Sequence, residues 1–575
     1  MCPGTESRGI INGREPLIPK DGGDYHEATM RPLVVEGGAG GSGGATGFLQ
    51  GFLQRLFPAN GLLRTLPLSE KNNHVPSRCP YSTITAYSAI QVVAGPIPTL
   101  SYVVSEELRS LVKIACPILM TSMLLYSRSV VSMLFLGRLG KTELAGGSLA
   151  LGFGNITGNS IMRGLSTGMD PICCQAYGAK RWSVLSHAFQ KTFCLLLLVS
   201  IPIAALWLNM EPICIWLGQD PAITRVAKVY MAFSVPELLA QAHLQPLRIF
   251  LRTQGLTAPL TIAATCSAIL HLPINYFLVT YLKLGVAGVA LALAWNTMNL
   301  NVGLIIYILV SSKPLKPWRG LTVLSTFQGW GPLLKLALPS CAAVCLEWWW
   351  YEIMMFLCGI LRNPQASLAS MGILIQTTGM LYVFPISLSA GLTTRVGHAL
   401  GSGQPGRAQW TAILGLVLAF GFGLLAFVFM TVARSWWGRL YTDEPQVLSL
   451  LSKTLPLLGL CELGNTPQTA ACGVLNGMAR PNLGARINLC AFYVVGLPVA
   501  ILVTFTFRVG FLGLWFGLLS AQLACLGMMV YVLVRTDWKQ QSKRAEEMAS
   551  GTEEEKDENK EEDEESDLLS TNIDI

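Results

Sequence analysis

From about residue 105 to 537 the chain is a succession of long apolar segments separated by short polar ones. A helix that crosses a bilayer needs roughly 20 mostly apolar residues. The segments FCLLLLVSIPIAALWL (193–208), TAILGLVLAFGFGLLAFVFMTVA (411–433), AFYVVGLPVAILVTFTF (491–507) and LWFGLLSAQLACLGMMVYVLV (514–534) are of this kind. The pattern predicts twelve helices, with cores near 108–134, 143–169, 184–208, 222–246, 257–280, 285–311, 331–359, 366–394, 408–434, 447–474, 483–507 and 510–535. The second, eighth and tenth are rich in Gly, Thr, Asn and Gln, so hydropathy alone half misses them. Small polar residues are disfavoured against lipid, and these three helices are expected to line an interior.

The apolar pattern is also duplicated. LVKIACP (111–117) is echoed by LLKLALP (333–339), and GLSTGMDPICCQAYGAKR (164–181) by SLSAGLTTRVGHALGSGQ (387–404). LPINYFLV (272–279) matches LPVAILV (497–503), and GVAGVALA (285–292) matches GFLGLWFG (510–517). The offset stays between 222 and 225 residues. A shift this constant predicts an all-α polytopic membrane protein, its twelve transmembrane helices forming two pseudo-symmetric six-helix bundles. An even number of spans separates the halves, which gives them the same orientation. Parallel repeats of this kind place a substrate site where the halves meet. The expected organisation is a largely disordered cytoplasmic segment over 1–104 and a first bundle over 105–312. A cytoplasmic linker over 313–330, a second bundle over 331–537 and an acidic disordered tail over 538–575 complete it.

Composition removes the soluble alternatives. Hydrophobic residues make up 51% and charged residues 13%, where a soluble domain averages about 25% charged. The net charge of +7 sums a basic membrane part and an acidic tail, EEEKDENKEEDEESDLLSTNIDI. We read it as membrane-flanking charge and not as nucleic-acid binding. Placing both ends in the cytoplasm puts Lys180, Arg181, Arg248, Arg252, Arg395 and Arg407 in inside loops, in line with the positive-inside bias. Apart from Cys2 and Cys79, the fifteen cysteines lie singly in apolar segments, or as Cys173-Cys174 and Cys341…Cys345, and read as packing. The apolar stretch FLQGFLQRLF (48–57) has helical spacing and reads either as a segment lying on a membrane surface or as a locally apolar linker. Near the end, Glu564 followed by Leu568-Leu569 resembles an acidic dileucine sorting signal.

Several segments resemble the multidrug and toxic-compound extrusion proteins. LAGGSLALGFGNITG (144–158) and DPICCQAYGAKR (170–181) are similar to first-half signatures, and LGQDP (217–221) to the loop after the third helix. CLEWWWYE (345–352) resembles the seventh-helix signature of plant and animal members. CELGNTPQTAACGVLNGMARP (461–481) resembles a tenth-helix signature of one plant subgroup. The resemblance implies a V-shaped pair of bundles with alternating access to a central cavity. It also implies export from the cytoplasm driven by a proton or sodium gradient.

An ionisable residue in a spanning helix is expensive and calls for an explanation. Glu347, near the middle of the seventh helix, is the first candidate for proton carrier or cation partner. Glu352 lies roughly 140° further around an ideal helix and is expected to be interfacial. Where the family often has an acid on the tenth helix this chain has Thr469, and Glu462, two turns earlier on nearly the same face, is the candidate replacement. Bacterial relatives carry an aspartate in the first helix, whereas this chain has Arg128, a charge partner or an anion contact. With Arg163 it makes an organic anion an alternative substrate. Asp170 is expected to anchor a loop, and the role of Glu237 stays open. Trp348 and the aromatic residues after it surround Glu347 in sequence; aromatic faces can hold a cation beside a carboxylate, and ordinary packing or interface anchoring is the other reading. Gln376, Thr377, Asn465 and Gln468 are candidate cavity-lining groups. Pro117, Pro339 and Pro385 lie within helices and are candidate hinges.

The chain lacks GxxxxGK[ST], so direct ATP drive is not expected. No nucleophile–base motif or clustered histidine points to an enzyme, and no metal or cofactor is expected. The expected function is a secondary transporter that exports small organic solutes by exchange for protons. Organic-anion or hormone-like metabolite export, or lipid flipping within the same superfamily, are the alternatives. The expected partners are the bilayer, a small organic solute and protons, with the chain acting as a monomer, and endomembranes are favoured over the plasma membrane.

Overall fold

Within a bilayer every backbone N–H and C=O must be satisfied internally, which selects helices for segments of this length. In the computed structural model, which describes residues 100–311 and 329–549, helices account for all regular structure among the described residues. They are α1 Leu100–Leu139, then α2, built from Lys141–Gly154, Asn155–Asn159, Ser160–Thr167 and Met169–Gly178 in succession. The first half continues with α3 Trp182–Leu208, a short turn Met210–Trp216, α4 Pro221–Thr253, α5 Ala258–Tyr281 and α6 Gly285–Val310. The second half has α7 Gly331–Cys358, α8 Pro364–Gly401, α9 Pro405–Ala433, α10 Pro445–Gly477, α11 Pro481–Thr506 and α12 Phe511–Val534. A further helix, α13, spans Trp538–Ala549. All of these belong to one unit, Tyr81–Ile575.

Ten of these helices are long and apolar enough to cross a membrane. The two that fall short are α2 and α4. The sequence pattern marked α2, α8 and α10 as weak, yet α8 and α10 pass. In α4 the apolar run is diluted by Glu237, Gln241, His243 and Gln245, with Pro236 and Pro246 on either side of them. The LGQDP turn has a local cause. Gly218 adopts φ +85°, and the Asp220 carboxylate accepts from the Ala222 N–H at 2.7 Å. With Pro221 in the first helical turn, this starts α4.

The duplication is visible in the packing. In the first half α1 packs on α5, α2, α3 and α6 pack on α4, and α5 packs on α6. In the second half α7 packs on α11, α8, α9 and α12 on α10, and α11 on α12. Between the halves α2 meets α7 and α8, and α8 meets α1. Small residues permit this approach. A Cβ on Gly168 would fall 2.3 Å from the Ala337 Cα, and one on Gly391 3.4 Å from the Ala115 Cβ. Gly391 and Ala115 are the repeat counterparts of Gly168 and Ala337.

An ion cluster adds to this contact. Glu107 of α1 is 2% exposed. Its carboxylate accepts from Arg395 of α8 at 2.6 Å, from Arg407 of α9 at 2.5 Å and from the Thr411 hydroxyl at 3.1 Å. Pro117, Pro339 and Pro385 lie inside α1, α7 and α8, which run on through them. Every described cysteine is a free thiol.

The tail does not begin where the sequence pattern placed it. Residues 538–549 are helical because their charges are mixed, with Lys539, Lys543 and Arg544 beside Glu546 and Glu547. Asp537 caps the helix, accepting from the N–H groups of Lys539 at 3.0 Å and Gln540 at 3.2 Å. Packed against α2, α8 and α9, α13 donates from the Ser542 hydroxyl to the Leu400 carbonyl at 3.1 Å. The N-terminal segment with 48–57, the body of the linker and the dileucine pattern lie outside the described residues.

Candidate functional site

The second half gathers its carboxyl groups around α10. Glu462 is 1% exposed, and Asn465, one turn on, donates to it at 3.0 Å. Thr469 shares that face, but its hydroxyl donates to the Asn465 carbonyl at 2.9 Å and is spent on its own helix. Gln468 is fully buried, and neither end of its amide meets a partner among the described residues. A buried amide in that state is one that water or a solute satisfies.

Glu347 is half-buried on α7. Tyr382 of α8 is its neighbour, and Glu462 lies within Coulombic reach. Tyr351, one turn along α7, is within reach of both carboxyls. Helices α7, α8 and α10 thus bring Glu347, Tyr351, Tyr382 and Glu462 together. Tyr382 was invisible in the sequence, where it stands in the apolar run LYVFP. Glu352 is exposed and stands apart.

The tryptophans do not enclose Glu347. Consecutive helical residues point about 100° apart, and here each finds a separate partner. The Trp348 ring lies under the Arg163 guanidinium of α2, 5.2 Å from its centroid. Trp349 is exposed and donates to the Ile156 carbonyl at 3.3 Å. Trp350 is buried against Phe492 and Tyr493 of α11. Of the two readings of these tryptophans, packing and separate contacts are what the structure holds.

In the first half Arg128 is a charge partner. It donates to Asn296 at 3.1 Å and Thr297 at 2.8 Å, both on α6, and pairs with Glu237 of α4 at 3.4 Å. This gives Glu237 the role that its position in the sequence left open. Asp170 pairs with Arg252, and so ties α2 to α4 instead of anchoring a loop. Arg248 and Arg252, expected in an inside loop, are part of α4, which runs on to Thr253.

The cavity-lining candidates separate. Gln376 is exposed and hydrogen-bonds Tyr126 of α1 across the two halves. Thr377 is fully buried, donating to the Ile373 carbonyl at 2.8 Å and accepting from the Trp437 indole at 3.0 Å. It packs inside the second half, with its hydroxyl committed there. Asn465 lies beside Glu462, and Gln468, further along α10, is buried as well.

A model of the MatE family matches residues 117–277 and 339–502, one match in each half. Protein DETOXIFICATION 53 of Arabidopsis thaliana is 66% identical over 447 residues, which is 78% of this chain and 92% of that protein. Protein DETOXIFICATION 49 of Arabidopsis thaliana is 54% identical over 455 residues, 79% of this chain and 90% of that one. The crystal structure of the eukaryotic MATE transporter AtDTX14 superimposes with a TM-score of 0.75 at 30% identity, covering 78% of this chain and 100% of that chain. The Vibrio cholerae MATE transporter VcmN in the bent form shares the fold, with a TM-score of 0.64 at 17% identity over 78% of this chain and 99% of that chain.

Proposed function

The chain belongs to the MatE family of membrane transporters, and from that membership we propose that it exports small organic solutes by exchange for protons. The observation that carries this reading is the group formed by Glu347, Tyr382 and Glu462 at the inner faces of α7, α8 and α10. A proton-coupled exchanger needs a carboxyl whose solvation changes during its cycle, so that it takes up a proton on one side and gives it up on the other. Glu347 is half-buried on a helix that contacts the other half, and Glu462 is sealed behind it. Glu347 is thus the carrier, Glu462 its partner in place of the acid missing at Thr469, and Tyr382 the hydroxyl that positions it.

Alternating access follows from rocking of one half against the other. Pro117, Pro339 and Pro385 are bending points in helices at the contact between the halves. The chain works as a monomer, since each half finds its counterpart within the same chain. Both ends face the cytoplasm, and the dileucine pattern near residue 568 directs the chain to an endomembrane. Family members of this kind act on solutes and not as enzymes.

Purified full-length chain in vesicles holding a set pH gradient tests the exchange. Efflux of a panel of organic cations and anions is followed for wild type and Glu347→Gln. Gradient-driven movement that is lost in the variant is expected. Undiminished movement in the variant removes Glu347 from the coupling step.

A further inference from the structure

Arg163 of α2 and Arg248 of α4 take no part in the carboxyl group described above. Both lie deep in the first half, yet both stay partly exposed. Among the described residues neither has a carboxylate within ion-pair distance, because the nearby acids are committed elsewhere. Glu237 is held by Arg128 and Asp170 by Arg252. Arg163, Arg248 and Arg128 are within Coulombic reach of one another. Two uncompensated cations at this depth repel each other and lose hydration, a cost that calls for a counter-charge.

Their placement suggests what that counter-charge is. The Arg163 guanidinium lies against Trp348 of α7, and Tyr382 of α8 is within its reach, so it stands where the two halves face each other. Its guanidinium carbon lies over the indole, 5.2 Å from the ring centroid. Its edge N–H groups, the ones that fork onto an oxyanion, donate to no described protein atom. The same holds for Arg248. On an ideal helix Arg163 stands about 10 Å along α2 from Asp170, and Arg248 about 6 Å along α4 from Arg252. The two free guanidiniums thus sit one to two turns beyond the Asp170–Arg252 pair, away from the ends of α2 and α4. A substrate cation would meet repulsion here, and it would find the Trp348 face already occupied.

We propose that Arg163 and Arg248 form an anion-binding wall between the two halves and hold the carboxylate, sulfonate or phosphate group of an organic anion. This rests on the exchange reading and narrows its substrate class to organic anions. The wall belongs to the first half and the proton carrier to the second, so solute and proton meet opposite faces of one site.

The test uses carboxyfluorescein and rhodamine 123, which share a xanthene scaffold and differ in charge. Binding to detergent-solubilised full-length chain is read by fluorescence anisotropy, without any gradient. Wild type is expected to bind carboxyfluorescein more tightly than rhodamine 123. Arg163→Gln and Arg248→Gln each weaken carboxyfluorescein binding about tenfold, the loss of a charge-assisted contact. Arg163→Lys retains most of it, the exposed Glu352→Gln leaves it unchanged, and added salt weakens it in wild type. Melting curves identify any variant that fails to fold, and for such a variant the salt dependence and Arg163→Lys still decide. Tighter binding of rhodamine 123, no binding of carboxyfluorescein to wild type, or binding indifferent to charge and salt overturns the proposal. Carboxyfluorescein that binds through the arginines but never crosses under a pH gradient leaves this site standing and removes the exchange reading.

Discussion

Gly178 and Gly401 occupy equivalent positions in the two halves, and each lies against the backbone of the other half. A Cβ on Gly178 would come 2.4 Å from the His398 carbonyl oxygen, and one on Gly401 2.1 Å from that of Gln175. No side chain can yield at these points, since the opposing atoms are backbone. Gly401→Ala is therefore expected to hold the halves apart at this end. Overpacking of this kind costs roughly 1–3 kcal/mol. Crosslinking between cysteines introduced near the ends of α2 and α8 would slow in the variant, and transport would fall with it.

The Glu107 cluster makes a second contact between the halves, joining α1 to α8 and α9. Removing its charge leaves two arginines facing a neutral amide. Glu107→Gln is expected to lower stability by roughly 3 kcal/mol, the usual cost of breaking a buried pair. A thermal melt of purified protein checks this, and an unchanged midpoint would show that the cluster contributes nothing net.

Arg128 and Glu237 give a prediction that separates structure from transport. Arg128→Met alone leaves Glu237 without its counter-charge and is expected to cost roughly 3 kcal/mol. The double variant with Glu237→Met restores most of this, because apolar side chains of similar volume replace the pair. A double-mutant cycle on melting free energies measures the coupling. A double variant less stable than either single one would mean that the pair is held by contacts beyond the two charges.

Glu462 and Glu347 should differ in kind. Glu347→Gln removes the group that changes solvation and abolishes gradient-driven transport. Glu462→Gln keeps the hydrogen bond to Asn465 and is expected to slow transport while retaining its gradient dependence. The two variants compared in one vesicle assay decide this, and identical behaviour would mean that the two carboxyls act as one unit.

Much of the fold was legible because its constraint is local. Apolar length dictates helix in a bilayer for ten of the spans, and the constant repeat offset pointed to two equivalent six-helix halves. The resemblance carried by five short motifs also held, through to the MatE match in each half. The site was less legible because its partners are distant in sequence. Nothing near residue 128 announces Glu237, and nothing near residue 347 announces Tyr382. Adjacency misled at Trp348, where neighbours on a helix diverge and the ring turned to Arg163. Arg248 looked like a loop residue because a basic side chain next to an apolar run reads as a membrane boundary, whereas α4 continues past it. The tail was placed too early because its later acidic run masked the mixed charges of α13.

The decisive measurement reads protons instead of solute. Vesicles containing the full-length chain and a trapped pH-sensitive dye receive an inward gradient of whichever panel solute is transported, with no pH difference at the start. Exchange predicts that solute entering drives protons out, so the lumen turns alkaline, and that Glu347→Gln abolishes the change. Solute entry with no change in internal pH, or the same alkalinisation in Glu347→Gln, would contradict proton exchange through Glu347.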